Sequence, residues 1–167
     1  MAAETPQAPA SSRERVEAAL RRLGIVTKIR EFPQGTRTCA DAAAAIGCSV
    51  AQIAKSVVMR GRQSGLPVVV IASGANRVCE AKVSALVGEP LGRADAAFVR
   101  AATGFAIGGV APVGHVGAVK LLVDEDLLAL GEVWAAAGTP STVFPVHASR
   151  LATLPGARVA DVREHHA

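Results

Sequence analysis

Tyrosine is absent from this 167-residue chain, tryptophan occurs once, and aromatic residues make up only 3% of it. Holding single-stranded nucleic acid by stacking successive bases needs aromatic platforms, and the sequence supplies few. The same scarcity argues against a drug-like aromatic pocket. The three cysteines, at 39, 48 and 79, cannot all pair and lack the C-x-x-C spacing of a zinc or redox site, so they read as small, mostly buried thiols. No apolar run approaches the ~18 residues needed to cross a bilayer. The opening MAAETPQAPASSRER has no basic segment followed by an apolar stretch, so no secretory signal is expected and the expected compartment is the cytoplasm. Lysine is scarce too: four of the 18 basic residues, the rest being arginine. No metal-ligand spacing and no serine–histidine–aspartate arrangement is present, which argues against metal catalysis and against a triad.

What the chain does have is apolar material. Half its residues are hydrophobic, 19% are charged and the mean hydropathy is +0.34, which excludes wholesale disorder and is ample for one domain of this length. The net charge of +4 permits attraction to a polyanion such as tRNA, but the basic residues are scattered and do not require it.

Residues 1–10, rich in alanine and proline, read as a disordered leader, and 164–167 as a frayed tail, leaving 11–163 as the domain. Ser11 and Glu14 form a capping box for a helix that stops at Gly24. Residues 25–32 carry β-branched side chains and predict a strand. A helix is expected from Thr38 to Gly47, then a short one opened by the Ser49–Gln52 capping box and running to about Ala54. Two strands, 56–59 and 66–72, flank a Gly61–Gly65 turn. Helices follow over 80–87 and 95–102, and strands over 118–123, 133–137, 142–146 and 158–162. This order mixes hairpins with helical insertions, which is α+β in a single domain rather than a regular βαβ alternation.

The densest feature is Thr103 to His115, where Gly104, Gly108, Gly109, Gly114 and Pro112 specify an irregular backbone. Such a loop can present backbone N–H groups to a carbonyl, a phosphate or a developing oxyanion. An ordinary helix-to-strand turn explains the same composition. It is neither a P-loop nor a dinucleotide fingerprint. The second feature is Lys55, one of the four lysines, set between an apolar helix end and an apolar strand. It is suited to facing a substrate, and equally to snorkelling at the core edge. His115 beside the loop could serve as a general base, and Asp124, Glu125 and Asp126 could hold a cation or simply cap a helix.

Several blocks in order carry a family resemblance: Thr38-Cys39-Ala40-Asp41, Gln52-Ile53-Ala54-Lys55-Ser56, Ser73-Gly74-Ala75-Asn76-Arg77-Val78, the Gly104–His115 loop, and Val123-Asp124-Glu125. In these the chain resembles the YbaK/EbsC family of aminoacyl-tRNA deacylases, related to the editing domain inserted in bacterial prolyl-tRNA synthetases, over roughly residues 25–160. The resemblance implies a mixed, mostly antiparallel sheet or partial barrel surrounded by short helices. It implies hydrolysis of the ester joining a wrongly attached amino acid to the 3′ end of tRNA, a translation-fidelity step of protein biosynthesis. The implied catalytic positions are Lys55, Gly108, Gly109 and Pro112. The implied substrate-binding positions are Ser56, Gly74, Asn76, Gly104, Phe105, Ile107, Val110, Ala111, Gly114 and His115. No cofactor and no metal are implied. The partners are the mischarged tRNA 3′ end and an aminoacyl-tRNA synthetase, with no membrane and a monomeric chain. The expected amino acid is small: alanine, serine, threonine or cysteine. The alternative is a non-catalytic module of the same fold that binds tRNA or a synthetase. Cys79 departs from the acidic residue that relatives often carry after Arg-Val.

Overall fold

The computed structural model describes residues 11–32 and 38–165. The expected leader lies outside them, as do the last two residues of the expected tail. Helix α1 (Ser12–Arg22) starts where the capping box places it, with the Ser11 hydroxyl accepting from the Glu14 N–H at 3.1 Å. Strand β1 (Arg30–Glu31) is far shorter than the strand expected over 25–32. Pro145, facing this segment, has no N–H to give a ladder, and the Thr27 hydroxyl takes its carbonyl instead at 2.6 Å. Helix α2 (Cys39–Ile46) is capped by the Thr38 hydroxyl and closed by Gly47 in the left-handed region. The Ser49 box opens only a 3-10 turn (Val50–Gln52), because Ile53 and Ala54 already pair with another strand.

Then follow β2 (Ile53–Gly61), β3 (Pro67–Ser73), α3 (Glu80–Val87), β4 (Leu91–Arg93), α4 (Ala96–Thr103) and β5 (Lys120–Asp124). A 3-10 turn (Glu125–Ala129), β6 (Glu132–Ala136), β7 (Thr142–His147), α5 (Ala148–Ala152) and β8 (Ala157–Ala160) complete the chain. The three-residue β4, with Gly92 at its centre, carries no strand pattern and is not legible in the sequence.

The strands form one open sheet in the order β1-β7-β6-β2-β3-β5-β8, with β4 added beside β2, and it does not close into a barrel. Four pairings are antiparallel (β1·β7, β7·β6, β2·β3, β2·β4) and three are parallel (β2·β6, β3·β5, β5·β8), so the sheet is mixed. Both faces of β3 are covered. Val69 and Ile71 enter the main core with Val16 and Leu20 of α1, while Val68, Val70 and Ala72 pack with Val83 of α3. That is why β3 reads as an unbroken apolar run rather than an alternation. A third cluster joins Ala42 and Ala43 of α2 to Ile53 and Trp134. The cysteines at 39, 48 and 79 are free and half-buried, more exposed than their composition suggests. No helix among the described residues is long and apolar enough to cross a membrane.

Candidate active site

The sheet splits beside β2. This strand pairs in parallel with β6 only at Ile53↔Trp134 and Ala54↔Ala135, and β4 takes the same edge from Met59 onward. Between them, Lys55 to Val58 have no described strand on that edge. A cleft of about 170 Å³ opens in the gap. Its walls are Lys55 and Ser56 of β2, Cys39 and Ala42 of α2, Trp134 and Ala136 of β6, Gly108 and Val110 of the glycine loop, and Thr139, Pro140, Thr142 and Val143 around the start of β7.

Lys55 lies within the body of β2, not at a helix end, and is half-buried. Among the described residues its side chain makes no hydrogen bond and no ion pair, whereas Lys82 pairs with Asp161 at 2.7 Å and Lys120 with Glu89 at 3.7 Å. A half-buried ammonium with no partner keeps its donors for whatever enters the cleft. The Ser56 hydroxyl is the one buried side-chain oxygen among the described residues without a hydrogen-bond partner.

The glycine loop is anchored at both ends by α1. The Arg15 guanidinium donates to the Gly104 carbonyl at 2.5 Å and to the Gly114 carbonyl at 3.4 Å, and lies 5.0 Å from the centroid of the fully buried Phe105 ring. A side chain on Gly104 would strike both Val116 and this guanidinium. Between the anchors, Gly109 spends its N–H on Ala106 O at 2.9 Å, closing a tight turn. Gly108, at φ +89°, lies beside Pro140 in the cleft wall and needs the left-handed conformation that glycine adopts without strain.

The structure therefore brings Lys55, Ser56, Gly108 and Val110 together, with Gly109 bracing the wall behind them. Ile107 sits at the exposed tip of the loop, 57% accessible. Gly74 lies at the cleft's back, where a side chain would meet Cys39, Ile53 and the Val50 carbonyl. The other candidates lie elsewhere. Phe105 and Ala111 are buried beneath the loop. Pro112, Gly114 and His115 border a separate groove beside Ala19 and Leu23 of the α1 end. The His115 ring donates from Nε2 to Ala111 O at 2.8 Å and stands edge-on to Phe105, and burial holds its pKa below the ordinary value despite that bond. Asn76 is also engaged: its amide donates to Asp124 at 2.9 Å and to Asp126 at 2.8 Å.

The acidic run is thereby accounted for. Buried Asp124 also accepts from the Ser73 and Asp126 N–H groups, and Arg163 pairs with Asp126 at 3.0 Å. This network fixes the turn at 73–76, whose Gly74 N–H bonds Ile53 O and whose Ser73 hydroxyl bonds Ala51 O, and so holds the start of β2 beside the cleft. Cys39, Trp134, Thr139, Pro140 and Thr142 are cleft residues that sequence reasoning missed. The single tryptophan was the one available signal.

The fold and this cleft define a class: single-domain α+β proteins with a half-buried lysine and a glycine loop at a split in a mixed sheet. The chain matches the family model of the aminoacyl-tRNA editing domain over residues 33–154, and it belongs to that family. Among solved structures, a protein put forward as a trans-editing enzyme for prolyl tRNA synthetase is 45% identical, with a TM-score of 0.86 over 95% of this chain and 100% of that one. A structure from work on epitope backbone grafting by computational design onto scaffold proteins is 43% identical, with a TM-score of 0.85 over 94% of this chain and 100% of that one. A hypothetical protein is 31% identical, with a TM-score of 0.84 over 90% and 100%. No curated protein matches the chain.

Proposed function

We propose that the chain is a trans-editing hydrolase that removes a small, wrongly attached amino acid from the 3′ end of tRNA in the cytoplasm. The observation that carries this reading is Lys55, whose ammonium has no partner among the described residues, on the wall of a cleft of about 170 Å³ that Gly108 also lines. The small side chains of Ala42, Ala54 and Ala136 in its lining suit a small aminoacyl group such as alanyl, seryl, threonyl or cysteinyl. In the proposed reaction a water adds to the ester carbonyl, and the substrate's own ribose hydroxyl relays its proton to the departing ribose oxygen. The ammonium of Lys55 and the backbone at Gly108 meet the charge that develops on the carbonyl oxygen. Gly109 and Pro112 keep the loop in the shape this requires. Substrate assistance suits a site with no triad in its walls.

The test is deacylation of tRNAs carrying alanine, serine, threonine, cysteine and proline, with and without added prolyl-tRNA synthetase. Hydrolysis of one or two of the small non-proline esters supports the reading. Folded protein that cleaves none of them, with synthetase present, would replace it with a binding module of the same fold.

A further inference from the structure

Arg30 stands across the cleft from Lys55 on the same face of the sheet. Arg30 is in register with Val143, Val143 with Ala136, and Trp134 with Ile53. Residues in register share a face, and Lys55 follows Ile53 by two, so these side chains all rise on the side that α2 covers. Three strand spacings separate β1 from β2, which sets the two cations roughly 14 Å apart at the level of the backbone. Val143 and Trp134 both line the cleft between them.

The Arg30 guanidinium is held by two rings. Its carbon lies 5.3 Å from the Trp134 centroid and 5.6 Å from that of Phe32. Two of the chain's five aromatic residues are thus collected at one edge of one cleft. No carboxylate pairs with Arg30 among the described residues, and its neighbour Glu31, on the opposite face, is taken by Arg13 at 3.3 Å. Aromatic faces fix the plane of a guanidinium and leave its N–H edge for an oxyanion.

We propose that Arg30 grips the phosphodiester of the 3′-terminal nucleotide while Lys55 faces the ester on that nucleotide's ribose. The inference rests on the editing reading. The aminoacyl part of such a substrate offers Arg30 no anion, because its carboxylate is esterified and its amino group is itself cationic. The phosphodiester is the anion that lies within one nucleotide of the ester. Arg30 therefore reads the RNA end, and the cleft reads the amino acid.

Uncharged tRNA titrated into the full chain, followed by the fluorescence of Trp134, tests this without any catalysis. Arg30→Ala is expected to weaken binding about tenfold and to make the dependence of log K on log salt shallower by about 0.7, the share of one single-strand phosphate. Arg30→Lys, which keeps the charge but not the planar fork, recovers part of the affinity and guards against misfolding. In deacylation, the ratio of kcat/KM for aminoacyl-tRNA to that for aminoacyl-adenosine, which has no phosphodiester, falls about tenfold in Arg30→Ala. Unchanged affinity and salt slope would overturn the proposal. So would an equal loss on both substrates, which would make Arg30 a support for the Trp134 wall. If the parent chain cleaved neither ester, the editing reading would fall and the titration would still decide for Arg30.

Discussion

Gly109 lies against Thr139 with no room for a side chain: a Cβ on the glycine would sit 2.7 Å from both the Cα and the carbonyl carbon of Thr139. The loop that brings Gly108 to the cleft and the turn beside it in the cleft wall are thereby interlocked. Both obstructing atoms are backbone, so no rotamer change relieves the contact.

Gly109→Ala is accordingly expected to push the loop off the turn. Overpacking of this kind costs about 1–3 kcal/mol and displaces Gly108 from the cleft. Deacylation should fall more than tenfold, because ångström-scale misplacement of a positioning group is enough for that. Thermal melting and single-turnover deacylation of the variant check both halves; full activity would show that the loop is not part of the site.

Lys55→Ala should separate activity from stability. The ammonium has no partner among the described residues, so its removal leaves no orphaned group, and the melting temperature should stay within about 2 °C of the parent's. The rate of ester cleavage should fall by about 10²–10³, the usual consequence of losing one group that stabilises a developing oxyanion. A variant that melts normally and retains its rate would remove Lys55 from the mechanism.

His115 gives the fold a pH dependence of known sign. Burial lowers its pKa in the folded chain, so in mild acid the unfolded chain takes up the proton first. Stability from this residue is full above about pH 6.5 and is lost as the pH falls from there through the lowered folded value. Melting temperatures followed from about pH 7.5 to about pH 5 should decline less steeply in His115→Gln, whose amide can still donate to Ala111 O. Parallel declines in the two proteins would refute the assignment.

Cys79 occupies the N-cap of α3 without a side-chain capping bond. Its backbone is extended there, the conformation an aspartate cap requires. Cys79→Asp is expected to stabilise the protein by about 1 kcal/mol, raising the melting temperature by about 2–4 °C. A neutral or negative shift in the melt would show that the terminus is satisfied by other means.

Much of this architecture is written locally. The cap at Ser11, the helix start at Thr38 and the glycine closing α2 appear in the structure where the sequence puts them, because a cap is a contact between residues three apart. The Gly61–Gly65 hairpin is legible for the same reason. The strand expected over 25–32 shrank to two residues because its pairing depends on Pro145, more than a hundred positions away. Lys55 and Gly108 stood out as candidates from residue type and from the family resemblance. Their meeting was not, since it depends on where β2 parts from β6.

The sequence by itself thus determined most of the elements, the single α+β domain and the family, all of which rest on short-range patterns and on motif order. Only the tertiary structure decided which motif residues share a cleft. It sent His115, Phe105 and Asn76 to anchoring duties and brought Trp134, Thr139 and Arg30 to the cleft and its rim. The physical reason is register. A residue's face and neighbours in a mixed sheet are fixed by pairings between distant strands, and no local pattern in the chain encodes them.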